Sequence, residues 1–210
     1  MRVGYLSPCW PCARGANGIA AYLENLLKHG SPAYDYLIMT YDSGAFEEHL
    51  VDLSLHGSRR TAIGAIVARA LPRTFGVRHK FARDLLAVVR SGRSKIDILE
   101  LEESFGLCFT RRINLFPAIS RRLHGPWFIN RPLLGGSMSV DDRYRIHIEG
   151  VAIKHAAGVT SPSRHVLESV RSRYGCELPF AEVIPNPVAP TSAENLWKGG
   201  EQRVPTVLYV

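Results

Sequence analysis

The sequence lacks any long apolar run, and it has few cysteines. No stretch approaches the roughly 18 uninterrupted apolar residues of a membrane-spanning helix. The N-terminal MRVGYLSP lacks the apolar region of a signal peptide. We therefore expect a cytoplasmic protein whose four cysteines are reduced: Cys9, Cys12, Cys108 and Cys176.

Two common nucleotide-binding motifs are also missing. There is no G-x-G-x-x-G fingerprint followed by an acidic residue at a clear strand end, which disfavours a Rossmann dehydrogenase. There is no G-K-S or G-K-T, which excludes a P-loop. Asn-Gly turns between two apolar runs are absent as well, so antiparallel hairpins are not predicted.

The cysteines offer one C-x-x-C motif, formed by Cys9 and Cys12. Cys108 and Cys176 are isolated, and this spacing excludes a zinc site made of two C-x-x-C pairs. Cys12 precedes the expected helix cap Asn17 by five residues, too far for the helix N-terminus to lower its thiol pKa. A dithiol oxidoreductase therefore remains only an alternative.

Positive charge is concentrated in one part of the chain. The whole sequence has 26 Lys and Arg against 19 Asp and Glu, a net charge of +7. Residues 57–95 contain ten basic residues and a single acidic one, Asp84. Such a segment favours an anionic partner.

Strand-like apolar runs alternate with helical patterns along the chain. Strands are predicted at residues 2–6, 35–41, 51–55, 96–102, 117–125, 158–161 and 181–188. Helices are predicted at 17–30, 61–71, 77–90, 141–155 (capped by Asp141 or Asp142) and 163–174. This alternation predicts an α/β fold with a parallel sheet and helices on both of its faces.

The end of the sequence changes in character. We expect a domain over residues 1–187, followed by a linker over 188–203 that is rich in proline, glycine and polar residues. The apolar VLYV within residues 204–210 then predicts the first strand of a second domain, of which the rest would lie beyond this sequence.

Polar residues follow several of the predicted strands. In a parallel sheet the carboxyl ends of the strands meet at one edge, where ligands bind. The first loop contains Gly15, Asn17 and Gly18, whose backbone at a helix N-terminus suits a phosphate or a sugar hydroxyl. EESFG with Glu103, HGPW with His124, and SPSR follow later strands. His124 is the candidate for contacting a reacting sugar or an acceptor hydroxyl.

The order of these motifs resembles the retaining glycosyltransferases of family 4. The motifs are the first glycine loop, LELEESFG, RRLHGPWF, RIHIE, GVTSPSRHV, VIPNPV and PTVLYV. The resemblance covers nearly the whole chain. It implies the N-terminal, Rossmann-like half of a GT-B fold, in which the acceptor binds, whereas the donor is held mainly by the second domain. The loop reads GANG where many members have adjacent glycines, and the C-x-x-C is unusual.

The resemblance also implies an activity and roles for particular residues. The enzyme would transfer a sugar from a nucleotide-sugar donor to a glycan, lipid-linked or small-molecule acceptor, without a metal or other cofactor. This chain alone would be inactive. His124 would contact the transferred sugar. The other binding candidates, for acceptor or donor phosphate, are Gly15, Asn17, Gly18, Glu103, Arg145 and Glu149. Arg145 would face the acceptor, or alternatively pair with Glu149 at i,i+4.

The basic segment offers a second kind of partner. Its apolar residues recur at helical spacing between arginines, as in helices that lie on an anionic membrane. The alternative is an ordinary amphipathic helix with a solvated basic face. The segment lacks interleaved aromatic residues, so nucleic acid is not expected. The membrane-contact candidates, at the inner face of the membrane, are Arg69, Arg73, Arg78, Lys80 and Arg83.

Overall fold

A computed structural model of the chain describes residues 1–7, 18–40, 50–52, 73–90, 95–106 and 118–187. Its strands are β1 (Arg2–Leu6), β2 (Asp35–Thr40), β3 (Leu50–Asp52), β4 (Ile98–Glu102), β5 (Ile119–Arg122), β6 (Gly158–Ser161) and β7 (Ala181–Val183). They form one seven-stranded sheet in the order β3-β2-β1-β4-β5-β6-β7, and every pairing is parallel.

Helices connect these strands. They are α1 (Gly18–His29), α2 (Arg73–Arg90), α3 (Trp127–Asn130), α4 (Val140–Lys154) and α5 (Arg164–Tyr174), with 3-10 turns at Ser104–Gly106 and Arg131–Leu134. The predicted α/β class is therefore confirmed. The short helix α3 was not predicted, and α2 begins four residues before its predicted start. The predicted helix at 61–71 and the predicted linker and strand at 188–210 lie outside the described residues.

Apolar side chains cover the two faces of the sheet. Alternate residues of a strand point to opposite faces. Ile38 accordingly packs with Val3 and Leu23 of α1, whereas its neighbours Leu37 and Met39 belong to a cluster with α2 residues. Helices therefore lie on both faces, as predicted. A third cluster joins α4, α5 and β6.

The N-terminus of α4 corrects one prediction. Ser139, and neither Asp141 nor Asp142, is the N-cap: its side chain accepts a hydrogen bond from the backbone N–H of Asp142. The Asp142 carboxylate accepts in return from the Ser139 N–H, at 2.8 Å. This reciprocal capping box satisfies two otherwise unpaired donors, which a single aspartate cap would not do.

Two glycines allow the close packing of α4. Gly106 has a φ of +53°, and a Cβ there would lie 2.6 Å from the backbone oxygen of Ile148. A Cβ on Gly150 would collide with the ring of Tyr174 on α5. Larger residues at either position would push α4 away from its neighbours. None of the described helices is long and apolar enough to span a bilayer.

Candidate active site

The carboxyl ends of the central strands align at one edge of the sheet. The register pairs Glu102 of β4 with Arg122 of β5, and Arg122 with Thr160 of β6. The segments that follow these strands, including His124, therefore start side by side, as predicted for a ligand-binding edge. Gly18 begins α1, and among the described residues outside its own helical turn no atom lies within 4 Å of where a Cβ on it would be. Gly15 and Asn17 lie outside the described residues.

Glu103 holds the turn that follows β5. Its side chain is fully buried. Its two carboxylate oxygens accept hydrogen bonds from the backbone N–H groups of His124, at 3.0 Å, and Gly125, at 2.8 Å. Burial raises the pKa of Glu103 to about 7. The described contacts of Glu103 are thus with the chain itself, and direct ligand binding by this residue remains a prediction.

Glu149 braces the same turn from α4. It too is fully buried, and it accepts from the backbone N–H of Trp127 at 2.7 Å. Arg145 donates from Nε to Glu149 at 2.8 Å, and its guanidinium lies 4.0 Å from the centroid of the Trp127 ring. The i,i+4 pair foreseen for Arg145 is therefore present. Contact of Arg145 with an acceptor remains a prediction.

The loop before α4 is held by Asp142. Its carboxylate accepts from the Trp127 indole N–H at 2.7 Å and from Arg131 Nε at 2.9 Å. These hydrogen bonds lower the pKa of Asp142, and the one from Arg131 has the largest effect. Asn130 adds a hydrogen bond of 2.6 Å to the carbonyl of Gly125. Carboxylates and amides thus fix the backbone from His124 to the start of α4.

The ring of His124 is half-buried at the sheet edge. It lies edge-on to the ring of Tyr22 on α1, with 5.4 Å between the centroids. Burial, and secondarily the charge of Arg122, lowers the pKa of His124 to about 4. The ring is therefore neutral at pH 7, and it can both donate and accept a hydrogen bond.

Beside His124 the structure places Glu102, the first residue of EESFG, together with three polar residues that the sequence reasoning missed, namely Tyr22, Glu100 and Arg122. Tyr22 donates to Glu100 at 2.9 Å, and both line a small pocket together with Glu102, Arg122 and His124. Burial, then the neighbouring Glu103, raises the pKa of Glu102 to about 8. The alternation in LELE could have revealed that Glu100 and Glu102 lie on the same side of the sheet, because residues two apart in a strand share a face.

Arg122 connects this pocket to the segment after β7. Its buried guanidinium donates from Nη2 to the carbonyl of Ile184 at 2.8 Å and to Asn186 Oδ1 at 2.7 Å. The same group lies 5.0 Å from the centroid of the Tyr22 ring. The VIPNP motif is thereby attached to the sheet edge that carries His124.

The pocket is small. Its volume is about 10 Å³, whereas small-molecule sites typically measure about 300–1,000 Å³. The described side chains therefore do not enclose a sugar by themselves. Within the described ranges, no three His, Cys, Asp or Glu side chains lie close enough to hold a metal ion.

The shifted pKa values predict how stability depends on pH. Glu102 and Glu103 titrate at about 8 and 7 in the folded chain, against about 4.3 when unfolded. Their stabilising contribution is complete below the unfolded value and is lost as pH rises through the folded ones. His124 acts oppositely: its contribution is present above about 6.5 and is lost as pH falls towards 4.

Between pH 6.5 and 8 the titration of Glu102 and Glu103 outweighs the remaining titration of His124 in the unfolded chain, and the free energy of unfolding should fall by on the order of 2 kcal/mol. Urea unfolding at the two pH values measures this change. Glu102→Gln, which cannot titrate, should remove most of it. A free energy that stays level or rises in the wild-type chain would contradict the prediction.

The basic residues that are predicted to contact a membrane differ in how far they are exposed to solvent. Lys80 and Arg83 both pair with Asp84, at 3.3 and 2.9 Å, and the Asp84 side chain is buried. Arg73 is exposed, Arg78 is half-buried, and Arg69 lies outside the described residues. Membrane contact through α2 remains a prediction.

Comparison with known proteins gives a family. The model of Glycosyltransferase Family 4 matches residues 16–192. No curated protein sequence matches significantly. Among solved structures, sucrose-phosphate synthase from Thermosynechococcus elongatus matches with a TM-score of 0.57 and 14% identity, over 88% of this chain and 47% of that one.

The structural likeness, at this identity, shows the fold alone, and the chain spans about half the length of that synthase. It confirms the predicted Rossmann-like half of a GT-B fold. The family match carries more, because it covers most of the 210 residues. The chain belongs to Glycosyltransferase Family 4.

Proposed function

We propose that this chain is the acceptor-binding half of a retaining glycosyltransferase that uses a nucleotide sugar. The acceptor would be a glycan, a lipid-linked sugar or a small molecule. The observation that carries the proposal is the turn after β5, which two buried glutamates hold at the ligand-binding edge of the sheet. A turn fixed in this way places the His124 ring with little freedom.

The neutral state of His124 suits glycosyl transfer. The sugar becomes electron-poor, like an oxocarbenium ion, as its leaving group departs. A neutral ring can hydrogen-bond a sugar hydroxyl there without adding a positive charge next to that centre. The glycines of the first loop, followed by the N-terminus of α1 at Gly18, support the further proposal that the Gly15–Gly18 backbone approaches the donor diphosphate. We also infer that the protein is cytoplasmic, that its reaction requires no metal, and that it does not bind nucleic acid.

The complete transferase tests this function. It should consume a UDP- or GDP-sugar in the presence of an acceptor, and NMR of the product should show the donor's anomeric configuration. An inverted product would contradict the retaining mechanism. A failure with every donor and acceptor of a broad panel would contradict the transferase proposal itself.

The isolated chain should bind an acceptor yet release no nucleoside diphosphate. In the proposed arrangement the residues that hold the nucleotide would belong to a second domain, so the transition state would lack most of its stabilisation. The measurement is nucleoside diphosphate release from a panel of UDP- and GDP-sugars. The matched control is His124→Ala, because release that persists in this variant comes from a contaminant. Release that depends on His124 would overturn the expectation.

A dithiol oxidoreductase is the competing function, and it depends on Cys9 and Cys12, which lie outside the described residues. A redox pair needs at least one thiol with a lowered pKa. Titration of both thiols against pH distinguishes the two functions. A pKa near 8.5 for both thiols would contradict the redox function and leave the transferase as the remaining proposal.

A further inference from the structure

A groove of about 310 Å³ lies away from the small pocket beside His124, between α4 and α5. Among the described residues, its lining includes four basic side chains and no carboxylate. Met138 and Val151 contribute apolar surface to it. The basic residues are Arg143, His147, Lys154 and Arg173. An open groove with this lining is complementary to a ligand that is both anionic and apolar.

The groove continues an exposed stripe along α4. Residues three or four apart on a helix lie on the same face, which aligns Val140, Arg143, His147, Val151 and Lys154. Val140 and Val151 are 75% and 40% exposed, and the three basic residues are exposed as well. From Val140 to Lys154 the stripe covers the 15 residues of the helix, or about 21 Å between the first and the last.

The acidic residues of α4 are all turned away from this stripe. Asp141 accepts from the backbone N–H of Thr74 on α2 at 2.9 Å. Asp142 is held by Arg131, and Glu149 is fully buried. The positive charge of the stripe is therefore not neutralised by carboxylates of its own helix.

Two leucines project from the loop at the start of this stripe. Leu133 and Leu134 are 82% and 70% exposed. Their loop is fixed by Arg131, which donates to the carbonyls of Gly135 and Ser137, both at 2.6 Å. These hydrogen bonds fix the loop in a conformation that leaves both large apolar side chains exposed to water.

The leucines lie close to the groove. Leu134 lies four residues before Met138, which lines the groove, and four residues reach at most roughly 14 Å. The loop connects the carboxyl end of β5 to the first residue of α4. It therefore lies at the same sheet edge as His124.

We propose that Leu133 and Leu134 together with the basic stripe of α4 form a docking surface for an anionic lipid bilayer. The leucines enter the headgroup region, and the basic side chains face anionic lipids. A soluble anion would leave the projecting leucines in water, and an uncharged partner would leave the basic stripe without negative charge. An anionic bilayer provides apolar contacts for the leucines and negative charge for the basic side chains.

The position of this surface bears on the acceptor. A bilayer that receives Leu133 and Leu134 lies next to the edge that carries His124, so a lipid-linked acceptor can be presented there. This last step rests on the proposed transferase function. The docking itself does not, because vesicle binding is measured without any sugar donor.

Co-sedimentation of the 210-residue chain with vesicles tests the docking. Vesicles of phosphatidylcholine mixed with phosphatidylglycerol should bind the chain in a salt-sensitive manner, and pure phosphatidylcholine vesicles should bind it far more weakly. Leu133→Ser/Leu134→Ser should weaken binding about tenfold or more. Arg143→Gln/Lys154→Gln should weaken it about 10- to 30-fold.

A matched pair removes the same charge elsewhere. Lys28→Gln/Lys95→Gln replaces two exposed lysines, one on α1 and one before β4, and should change binding less than about threefold. Arg73→Gln/Lys80→Gln tests the separate α2 prediction in the same assay. Unchanged melting temperatures would show that all of these variants remain folded.

Three results would overturn the proposal. The first is no binding by the wild type, or equal binding to both kinds of vesicle. The second is an equal loss in the Lys28/Lys95 variant, which would mean diffuse attraction by net charge. The third is a wild-type dimer in light scattering that Leu133→Ser/Leu134→Ser converts to a monomer, because the surface would then join two copies of the chain.

Discussion

Glu103→Leu should lower the free energy of unfolding by about 2–5 kcal/mol. Leucine leaves the backbone N–H groups of His124 and Gly125 without the acceptors they have now, at 3.0 and 2.8 Å. An unsatisfied buried donor costs about 1–3 kcal/mol. The loss is smaller than the sum of two charged hydrogen bonds, because the substitution also removes a buried carboxylate whose pKa burial raises to about 7. Urea unfolding gives the value.

Two further variants give this prediction its control. Glu103→Gln keeps one oxygen acceptor but turns an NH2 group towards the other backbone N–H, so about half of the loss is expected. Glu24→Gln, on the exposed side of α1, should stay within about 0.5 kcal/mol of the wild type. A wild-type stability for Glu103→Leu would mean that the carboxylate does not hold the turn.

His124→Ala should lower the kcat of the complete transferase by roughly 10- to 1000-fold, about 1.4–4 kcal/mol. The ring is neutral because burial lowers its pKa to about 4, so it can make a hydrogen bond that strengthens in the transition state. The half-buried ring contacts Tyr22 only edge-on, so its removal should leave the fold intact. Steady-state kinetics and melting temperatures measured on the same preparations test this expectation.

Cys9→Ser and Cys12→Ser are the matched controls. Sugar transfer requires no thiolate, so both variants should keep kcat within about threefold of the wild type. Loss of activity in the cysteine variants together with wild-type activity in His124→Ala would mean that the chemistry belongs to the C-x-x-C motif. A loss of kcat in His124→Ala accompanied by a large drop in melting temperature would instead assign the ring a role in the fold.

The helices and strands could be predicted because their signals are local. The two-residue period of ILELE at 98–102 and the helical spacing of residues 77–90 follow from backbone sterics that neighbouring residues share. Local signals missed the short helix α3 and the first four residues of α2, and they gave the wrong cap for α4, where Ser139 forms it. The pattern S-x-x-D at 139–142 was present in the sequence, and it indicates the reciprocal cap that the structure has.

The sequence by itself determined that the chain is a parallel α/β domain, that polar segments gather at one sheet edge, and which family motifs it carries. Only the tertiary structure decided that Glu103 and Glu149 accept hydrogen bonds from the turn after β5, because these donors lie 21 or 22 residues away along the chain. The bonds of Arg122 span 62 and 64 residues. Contacts of this length depend on strand register and loop geometry, which no local pattern specifies. A buried carboxylate accepts hydrogen bonds from the donors that the fold brings next to it. Leaving those donors unpaired would cost more free energy than the local conformational tendencies of neighbouring residues can offset.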